Sequence, residues 1–333
     1  MERLAGNDPT DRARAAELLE AGKLVAVPTE TVYGLAANAT DEAAVRRVFS
    51  VKGRPLLDPL IVHCSARSAA ESLCDFPRSA LVLADSHWPG PLTLVLPKKP
   101  NCPVADLVSA GLPTLAVRVP AHPVLRALLS ESGLPLAAPS ANPFGYVSPT
   151  RADHVEESLG DRVDGVLDGG PCEHGIESTI VGFDAAGNAR LLRPGPIPAE
   201  SIADRLGSFA AGGPGPGNGP PEAPGGLPSH YRPTKGLRLF PEGSPPENPR
   251  PHEAVLRLRR PDDGGRPGLY WLSENGDARE IARNLFDLLR KLDASPAIDA
   301  ILAELPSAET GLFRALRDRL RRAAATPAEP SSG

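Results

Sequence analysis

A stretch rich in glycine and proline divides this chain of 333 residues into two unequal parts. Residues 210–228 read AAGGPGPGNGPPEAPGGLP, a composition that supports neither a helix nor the regular hydrogen bonding of a strand. The segment is therefore predicted to be an extended, mobile linker. We expect one domain at residues 1–207, the linker at residues 208–235, and a second domain at residues 236–333.

Helical and extended patterns alternate in the first domain. One helical pattern begins with Thr10 as its N-cap and ends at Gly22, and a second runs from Asp41, as its cap, to Gly53. Short apolar runs typical of buried strands lie among the helical segments, namely KLVAV, LIVH, LTLVL, TLAVRV, LPLAA, DGVLD and STIVGF. This order favours an α/β sandwich around a mixed sheet.

Composition speaks against several classes of function. The net charge of −5 provides no overall field for nucleic acid or anionic lipid, so any anion site must be local. The four cysteines lack CxxC spacing and the seven histidines lack paired metal spacing, which argues against a permanent zinc site. No apolar run approaches the roughly 18 residues of a membrane helix, and nothing at the N-terminus combines a basic segment with an apolar one. We expect a reduced, cytoplasmic protein.

Polar side chains gather at the ends of the predicted strands, where open α/β sheets bind ligands. VPTETVYGLA follows the first apolar run, and PSANPFGYVSPT follows LPLAA. Arg118 lies within the apolar run TLAVRV, and a buried arginine is costly unless it meets an anion. Hydroxyls and cations with few aromatic side chains predict a site for phosphate and small polar substrates.

Each of these features, taken alone, has a structural alternative. Lys52 and Arg54 flank Gly53 at the end of a predicted helix, where they would complement the helix dipole. Other polar positions are equally suited to turns, helix caps or a hydrogen-bonded strand end, namely Ser140, Asn142, Thr29, Thr31 and His63.

Five motifs in a fixed order resemble those of the YrdC-type threonylcarbamoyl-AMP synthases. They are PTETVYGLA, KGRP with PLIVH, PSAN with SPT, GIESTIV and LLRPG, over roughly residues 10–207. The lysine and arginine of KGR, with the serine and asparagine of SAN, form the family's signature. SHYRP and the C-terminal helical segments look like the long form of the enzyme. The resemblance implies a YrdC-like twisted open mixed sheet with flanking helices, plus a smaller Rossmann-like α/β C-terminal domain.

The resemblance also implies a nucleotidyltransferase. L-threonine, bicarbonate or carbon dioxide, and ATP would give L-threonylcarbamoyladenylate and pyrophosphate, the first step of threonylcarbamoyladenosine modification of tRNA next to the anticodon. A separate transferase would receive the product, and direct tRNA contact is left open. Threonine's amine forms a carbamate whose oxygen attacks the α-phosphorus, so positioning and positive charge are required rather than a protein nucleophile.

The resemblance assigns site residues position by position. For ATP these are Lys52, Arg54, Asp58, Thr114, Ser140, Asn142, Ser148, Arg193 and Tyr231. For L-threonine they are Thr31, His63, Arg118, Ala138, Ser178 and Thr179. Lys52 and Arg54 would be the catalytic cations, and Arg118 would hold the carboxylate as a bidentate fork. Magnesium is expected on the phosphates of ATP more than on protein ligands.

Two positions depart from the family's pattern. Asp58 stands where asparagine is usual, which predicts repulsion of phosphate unless Lys52, Arg54 or magnesium screens it. Ala138 replaces a residue that is often threonine.

If Tyr231 reaches the nucleotide, the linker would lie across the site as a lid that shields the adenylate from water. The alternative is a passive tether between two domains.

Two other functions are compatible with a YrdC-like domain. The first is an RNA-binding module, against which the net charge of −5 and the scarcity of aromatic residues argue. The second is a carbamoyl-transfer enzyme that uses carbamoyl phosphate, although the cysteine-rich zinc motifs of such enzymes are absent from this sequence.

Overall fold

The computed structural model describes residues 1–207, 209, 222–224, 230–262 and 264–325. Most of the predicted linker therefore lies outside the described residues, while its last part, with Tyr231, lies inside them. Among the residues described, no helix combines the length and the apolar character that crossing a membrane requires.

The first domain is built on one mixed sheet of ten strands, as the sequence predicts. The strands are β1 (Glu2–Ala5), β2 (Val25–Val27), β3 (Gly34–Asn38), β4 (Ile61–His63), β5 (Leu92–Pro97), β6 (Thr114–Arg118), β7 (Leu136–Ala137), β8 (Gly165–Asp168), β9 (Thr179–Phe183) and β10 (Ala189–Arg193). Their order in the sheet is β1-β8-β2-β3-β7-β4-β6-β5-β9-β10. Strands β4 and β6 are parallel and end together, because His63 pairs with Arg118 in register.

Helices flank this sheet and also build the second domain. They are α1 (Pro9–Glu20), α2 (Glu42–Lys52), α3 (Arg67–Leu73), α4 (Arg78–His87), α5 (Pro123–Ser132), α6 (Ala152–Leu159), α7 (Ala199–Leu206), α8 (Ala278–Ala294) and α9 (Gly311–Ala324). Short 3-10 turns occupy Asp106–Ser109 and Gly160–Arg162.

The ends of α1 and α2 show which predicted caps form. Asp41 accepts hydrogen bonds from the backbone N–H groups of the first turn of α2, and Gly53 ends that helix in the left-handed region at φ 64°. Both predictions are confirmed. The predicted cap of α1 at Thr10 is wrong, because the Asp8 carboxylate accepts from the N–H of Thr10 at 2.7 Å. Pro9 then begins the helix, where its missing N–H costs nothing.

The second domain has a separate parallel sheet, which confirms the smaller α/β unit. Its strands are β11 (Gly236–Pro241), β12 (Glu253–Arg259), β13 (Leu269–Ser273) and β14 (Ala300–Leu305), in the order β11-β14-β12-β13. All three strand pairings are parallel. Helix α8 is amphipathic and buries an apolar face that includes Leu285, Phe286 and Leu289.

Two buried arginines of the second domain contact the first. Arg290 in α8 donates to the carbonyl of Val147 at 2.6 Å and to that of Ser148 at 3.3 Å. Arg319 in α9 pairs with Glu177 at 2.7 Å. The second domain is thereby fixed against the loops that border the cavity described below.

Candidate active site

A cavity lies beside the ends of β4 and β6, and it collects many of the residues predicted from the sequence. Its lining includes nine of them, namely Thr31, Arg54, His63, Arg118, Ala138, Ser140, Ser178, Arg193 and Tyr231. Parallel strands end at the same edge of a sheet, which is why His63 and Arg118 meet here although they are distant in sequence. Glu177, Pro224 and His230 also line the cavity, and the sequence did not identify them as site residues.

At one end, Arg118 is held from three sides. Its Nε donates to the carbonyl of Gly90 at 3.2 Å, and its Nη1 donates to the Thr31 hydroxyl at 3.0 Å. Its Nη2 lies 2.6 Å from Oε1 of Glu30, and both side chains are only 3% exposed. The buried arginine that the sequence placed in an apolar strand therefore does meet an anion, but one supplied by the protein.

Glu30 is a residue that sequence reasoning missed. It lies between the two threonines of the PTET motif, and a signal for it existed, because a strand arginine requires a counter-charge. Burial raises the pKa of the Glu30 carboxyl, but the Arg118 guanidinium outweighs this and holds that pKa below its ordinary value. Glu30 is therefore a carboxylate in the folded protein.

His63 faces the same end of the cavity as an uncharged imidazole. Burial and the nearby charge of Arg118 lower the pKa of His63 to about 3. Within the described part of the chain, its Nδ1 has no hydrogen-bond partner. A neutral ring with a free nitrogen can accept or donate one hydrogen bond to a small ligand.

At the other end, the end of α2 supplies Lys52 and Arg54. The cavity lining includes Arg54 but not Lys52, which is buried beside the lining residue Ser140. Lys52 is the last helical residue, and its Nζ donates to the carbonyls of Ser140 and Asn142, each at 2.5 Å. Burial, with the charge of Arg54, holds the pKa of Lys52 well below its usual range. An anion bound nearby would raise that pKa and favour the charged form.

Arg54 is paired with Asp58, the residue that departs from the family's pattern. The Nη2 of Arg54 lies 2.9 Å from Oδ2 of Asp58, and its Nε donates to the backbone carbonyl of the same residue at 3.0 Å. Of the screening groups considered from the sequence, Arg54 is thus the one in contact with the carboxylate.

Arg193 completes this end through β10. Its Nε donates to the Ser178 carbonyl and its Nη2 to the Ser178 hydroxyl, both at 3.1 Å. The Ser178 hydroxyl is also 2.8 Å from that of Thr93 on β5. Burial lowers the pKa of Arg193, as expected for a cation held mainly by neutral groups.

The remaining predicted residues lie around the cavity or away from it. The Asn142 side chain donates to the carbonyls of Pro143 and Tyr146, which folds its loop, and Ser148 donates to Glu177 at 2.5 Å. Thr179 donates to the carbonyl of Ile197 at 2.8 Å. Thr114 begins β6, at the opposite end of the strand from Arg118.

His230 and Tyr231, at the described end of the linker, fill part of the cavity. Tyr231 is 1% exposed, packs parallel to Phe286 with ring centroids 5.5 Å apart, and lies under the guanidinium of Arg319 at 5.0 Å. Burial and the charges of Arg54, Lys52 and Arg193 hold the pKa of His230 well below its usual value. The position of Tyr231 in SHYRP was found from the sequence, whereas its contacts with the second domain were not.

The arrangement suits a reaction that joins an anion-rich substrate to a small acid. Cations crowd one end of the cavity, and a charge-compensated arginine with a neutral histidine occupies the other. These groups can bind, orient and stabilise developing negative charge, and the arrangement relies on no protein nucleophile.

Comparison with known proteins agrees with this geometry. Two family models match the chain, one described as "Telomere recombination" over residues 17–195 and one described as "Threonylcarbamoyl-AMP synthase, C-terminal domain" over residues 197–325. The threonylcarbamoyl-AMP synthase of Bacillus subtilis is 41% identical over 342 residues, covering 97% of this chain and 95% of the relative. That of Pyrococcus abyssi is 40% identical over 323 residues, covering 93% and 92%.

A solved structure is similar over nearly the whole chain. The crystal structure of Pyrococcus abyssi Sua5 complexed with L-threonine aligns with a TM-score of 0.86 and 37% identity, and the alignment covers 97% of each chain. Both domains and their arrangement are therefore shared with that protein.

Proposed function

The chain belongs to the threonylcarbamoyl-AMP synthase family, and from this we propose how its residues divide the reaction between the two ends of the cavity. The protein is an enzyme that makes L-threonylcarbamoyladenylate and pyrophosphate from L-threonine, bicarbonate or carbon dioxide, and ATP. We assign L-threonine to the end with Arg118 and the phosphates of ATP to the end with Lys52, Arg54 and Arg193.

One observation carries this division. Arg118 already has a carboxylate partner in Glu30, while Lys52 and Arg193 are held by carbonyl and hydroxyl oxygens. Cations buried against neutral groups are costly, and a polyanion would relieve that cost. The triphosphate belongs where the uncompensated charge lies.

The chemistry follows from this placement. The free amine of threonine attacks carbon dioxide and releases a proton, and an oxygen of the resulting carbamate attacks the α-phosphorus as pyrophosphate leaves. His63, being neutral, can accept a hydrogen bond from the amine without repelling it. Lys52, Arg54 and Arg193 would stabilise the charge that develops on the phosphoryl oxygens and the leaving group.

The remaining predicted contacts extend the same division. We assign Thr31, Ala138, Ser178 and Thr179 to the amino acid, and Asp58, Thr114, Ser140, Asn142, Ser148 and Tyr231 to the nucleotide. Magnesium would be held by the ATP phosphates, whose charge it would neutralise. This fits the carboxylates near the cavity, since Asp58 is paired with Arg54, and Glu177 with Arg319.

We also propose that the end of the linker acts as a lid over the phosphate end. His230 and Tyr231 line the cavity and are themselves buried, so bound ATP would lie against them or displace them. Their contacts with Phe286 and Arg319 tie that motion to the second domain. Closing the site would protect the labile adenylate from hydrolysis.

The product is expected to leave for a separate transferase that modifies tRNA in the cytoplasm. A direct contact with tRNA stays a prediction, and the proposed roles of the two ends of the cavity in forming the adenylate do not depend on it. Nothing observed in the cavity supports either alternative function. These alternatives are an RNA-binding module and a transfer enzyme that depends on carbamoyl phosphate.

A reconstituted assay tests the proposed function. Purified protein is incubated with L-threonine, bicarbonate, ATP and magnesium, and threonylcarbamoyladenylate is followed by mass spectrometry with pyrophosphate release measured in parallel. Both products should require all three substrates. Product formed from carbamoyl phosphate without bicarbonate would favour the transfer enzyme, and RNA binding without any adenylate would favour the module.

A tyrosine variant tests the lid. We expect Tyr231→Ala to release pyrophosphate while accumulating less adenylate, because water would reach the intermediate. Tyr270→Ala, a partly buried tyrosine on β13 of the second domain, is the matched control. Equal adenylate yield and lifetime in wild type and Tyr231→Ala would favour the passive tether.

A further inference from the structure

A buried carboxylate stands directly behind the proposed threonine contact. Glu30 pairs with Arg118 at 2.6 Å, and the cavity lining includes Arg118 but not Glu30. We propose that Glu30 is a positioning residue that makes the site select an amino acid with its amine over an otherwise identical acid that lacks one. This inference rests on the proposed role of Arg118 as the carboxylate contact.

Counting donors shows what Glu30 leaves available on Arg118. A guanidinium has five N–H groups. The Gly90 carbonyl engages Nε, the Thr31 hydroxyl engages Nη1, and Glu30 lies against Nη2. The contact with Glu30 is an ion pair, and within the described part of the chain Nη2 makes no hydrogen bond. N–H groups on both terminal nitrogens are therefore left to bind a carboxylate. Glu30 and Thr31 thus hold the guanidinium in place while Arg118 lines the cavity.

The backbone around Glu30 is rigid enough for this task. The Thr29 hydroxyl accepts from the N–H groups of Thr31 at 3.0 Å and Val32 at 3.1 Å, and it lies 2.6 Å from the Val32 carbonyl. The carbonyl of Glu30 itself accepts from the N–H of His174 at 2.8 Å. Bonds on both sides of Glu30 fix its backbone, and the ion pair at 2.6 Å then holds the carboxylate beside Arg118 before the ligand arrives.

Charge then sets the preference among ligands. Arg118 and Glu30 cancel, and His63 is neutral, so this end of the cavity carries no net charge before binding. Burial also lowers the pKa of His122 and His174 nearby, which keeps both rings uncharged. A zwitterionic amino acid adds no net charge, whereas an acid without the amine adds a negative one in a poorly solvated place.

The selection serves the reaction, because a ligand without an amine cannot form the carbamate. Such a ligand would occupy the site as an inhibitor unless its affinity were reduced. Glu30 would reduce it by opposing the unbalanced negative charge. The new negative charge appears only when the carbamate forms, next to the cations of the phosphate end.

Titration of two ligands into one variant tests the proposal. The heats of binding of L-threonine and of (R)-3-hydroxybutanoate, which is threonine without its amine, are measured for wild type and Glu30→Gln. We expect Glu30→Gln to lower the ratio of threonine to hydroxybutanoate affinity at least tenfold, chiefly by strengthening hydroxybutanoate relative to threonine. The matched control is Glu304→Gln, which alters an ion pair between the buried Glu304 and the partly buried Arg257 in the second domain and should leave the ratio unchanged.

Each other outcome is decisive. If Glu30→Gln weakens both ligands by the same factor, Glu30 is only part of the scaffold and the proposal fails. If Glu30→Gln does not fold, Glu30→Asp decides, because it keeps the charge and should keep the ratio, and loss of the ratio there overturns the proposal. Failure of the wild type to bind L-threonine would instead overturn the proposed function on which the inference rests.

Discussion

The two ends of the cavity each hold a buried arginine, but the charges around the two arginines differ. Arg118 is 3% exposed and meets Glu30 at 2.6 Å, whereas Arg193 is 6% exposed and donates to the carbonyl and hydroxyl of Ser178. Lys52 resembles Arg193, since its donors go to two backbone carbonyls. The charge of Arg118 is balanced by a carboxylate, whereas Lys52 and Arg193 contact neutral oxygens. This difference indicates that the polyanion binds at the end with Lys52 and Arg193.

Asp58 complicates this contrast, because it brings a carboxylate to the phosphate end. It pairs with Arg54, so of the three cations there Arg54 is the one most like Arg118. The contrast therefore predicts a gradient of effects: removing an uncompensated cation should damage catalysis most, and removing a compensating carboxylate should change affinity modestly.

The largest effect is expected from Lys52→Ala. Losing preorganised charge at a developing phosphoryl anion typically costs about a hundredfold or more in rate, and the fold should persist because the helix ends at Gly53 regardless. Steady-state synthesis of the adenylate measures it, with Lys98→Ala, which removes a partly buried lysine that is not among the residues lining the cavity, as the control. Wild-type turnover in Lys52→Ala would contradict the assignment of the phosphate end.

Arg118→Ala should instead act on threonine capture. Hydrogen bonds between charged groups contribute roughly 1.5–3 kcal/mol, so the KM for threonine should rise roughly tenfold to a hundredfold with little change in the KM for ATP. The variant should also lose about 3 kcal/mol or more of stability, because Glu30 is left buried and unpaired.

A double variant separates these two effects. Arg118→Met with Glu30→Gln removes both charges, so its free energy of unfolding should recover relative to Arg118→Ala. Threonine capture should stay weak. Recovery of threonine affinity together with stability would show that Arg118 has a structural role and no contact with the carboxylate.

The sequence predicted the cations of the cavity but not the carboxylate that balances Arg118. The cations were found because each stands in a local context that makes it conspicuous: Lys52 and Arg54 beside a helix-ending glycine, and Arg118 inside an apolar strand. Short apolar runs likewise predicted the mixed sheet, since such a run is local information. The cap at Thr10 failed on a local competition, in which the Asp8 carboxylate is the better acceptor.

The compensating groups depend on contacts between distant segments. Nothing in PTET shows that Glu30 turns towards β6, because the turn is fixed by hydroxyl bonds of Thr29 that no spacing reveals. Similarly, only the packing of α9 on the first domain brings Arg319 to Glu177. Burial and charge pairing are properties of the fold, so the electrical difference between the two ends was visible only in three dimensions.

Acid should lower the free energy of unfolding through His63, which lies at the threonine end of the cavity. The pKa of His63 is about 3 in the folded protein, against about 6.5 for an unfolded chain. As pH falls below 6.5 the unfolded state binds a proton and the folded state does not, so stability falls until pH nears 3. Between pH 7 and 5.5 the free energy of unfolding should fall by roughly 1 kcal/mol because of His63. Urea unfolding of wild type and His63→Gln at several pH values measures this, since the free energy of unfolding should depend less steeply on pH in the variant. Parallel pH profiles in the two proteins would mean that His63 ionises normally.

The smallest effect is expected from Asp58→Asn. This change removes the carboxylate that balances the charge of Arg54 at the phosphate end. Arg54 would keep its position through its bond to the carbonyl of Pro59 at 2.8 Å, while its charge would become available to ATP. Magnesium and counterions already neutralise part of the charge on the ATP phosphates, which limits the added attraction to Arg54. We therefore expect the Kd for ATP to fall roughly threefold. Direct titration with magnesium–ATP measures it, and Asp106→Asn, which removes a carboxylate exposed at the surface, is the control. An unchanged Kd would mean that Arg54 already cancels Asp58 fully, in which case the phosphate end relies on Lys52 and Arg193 alone for its attraction to ATP.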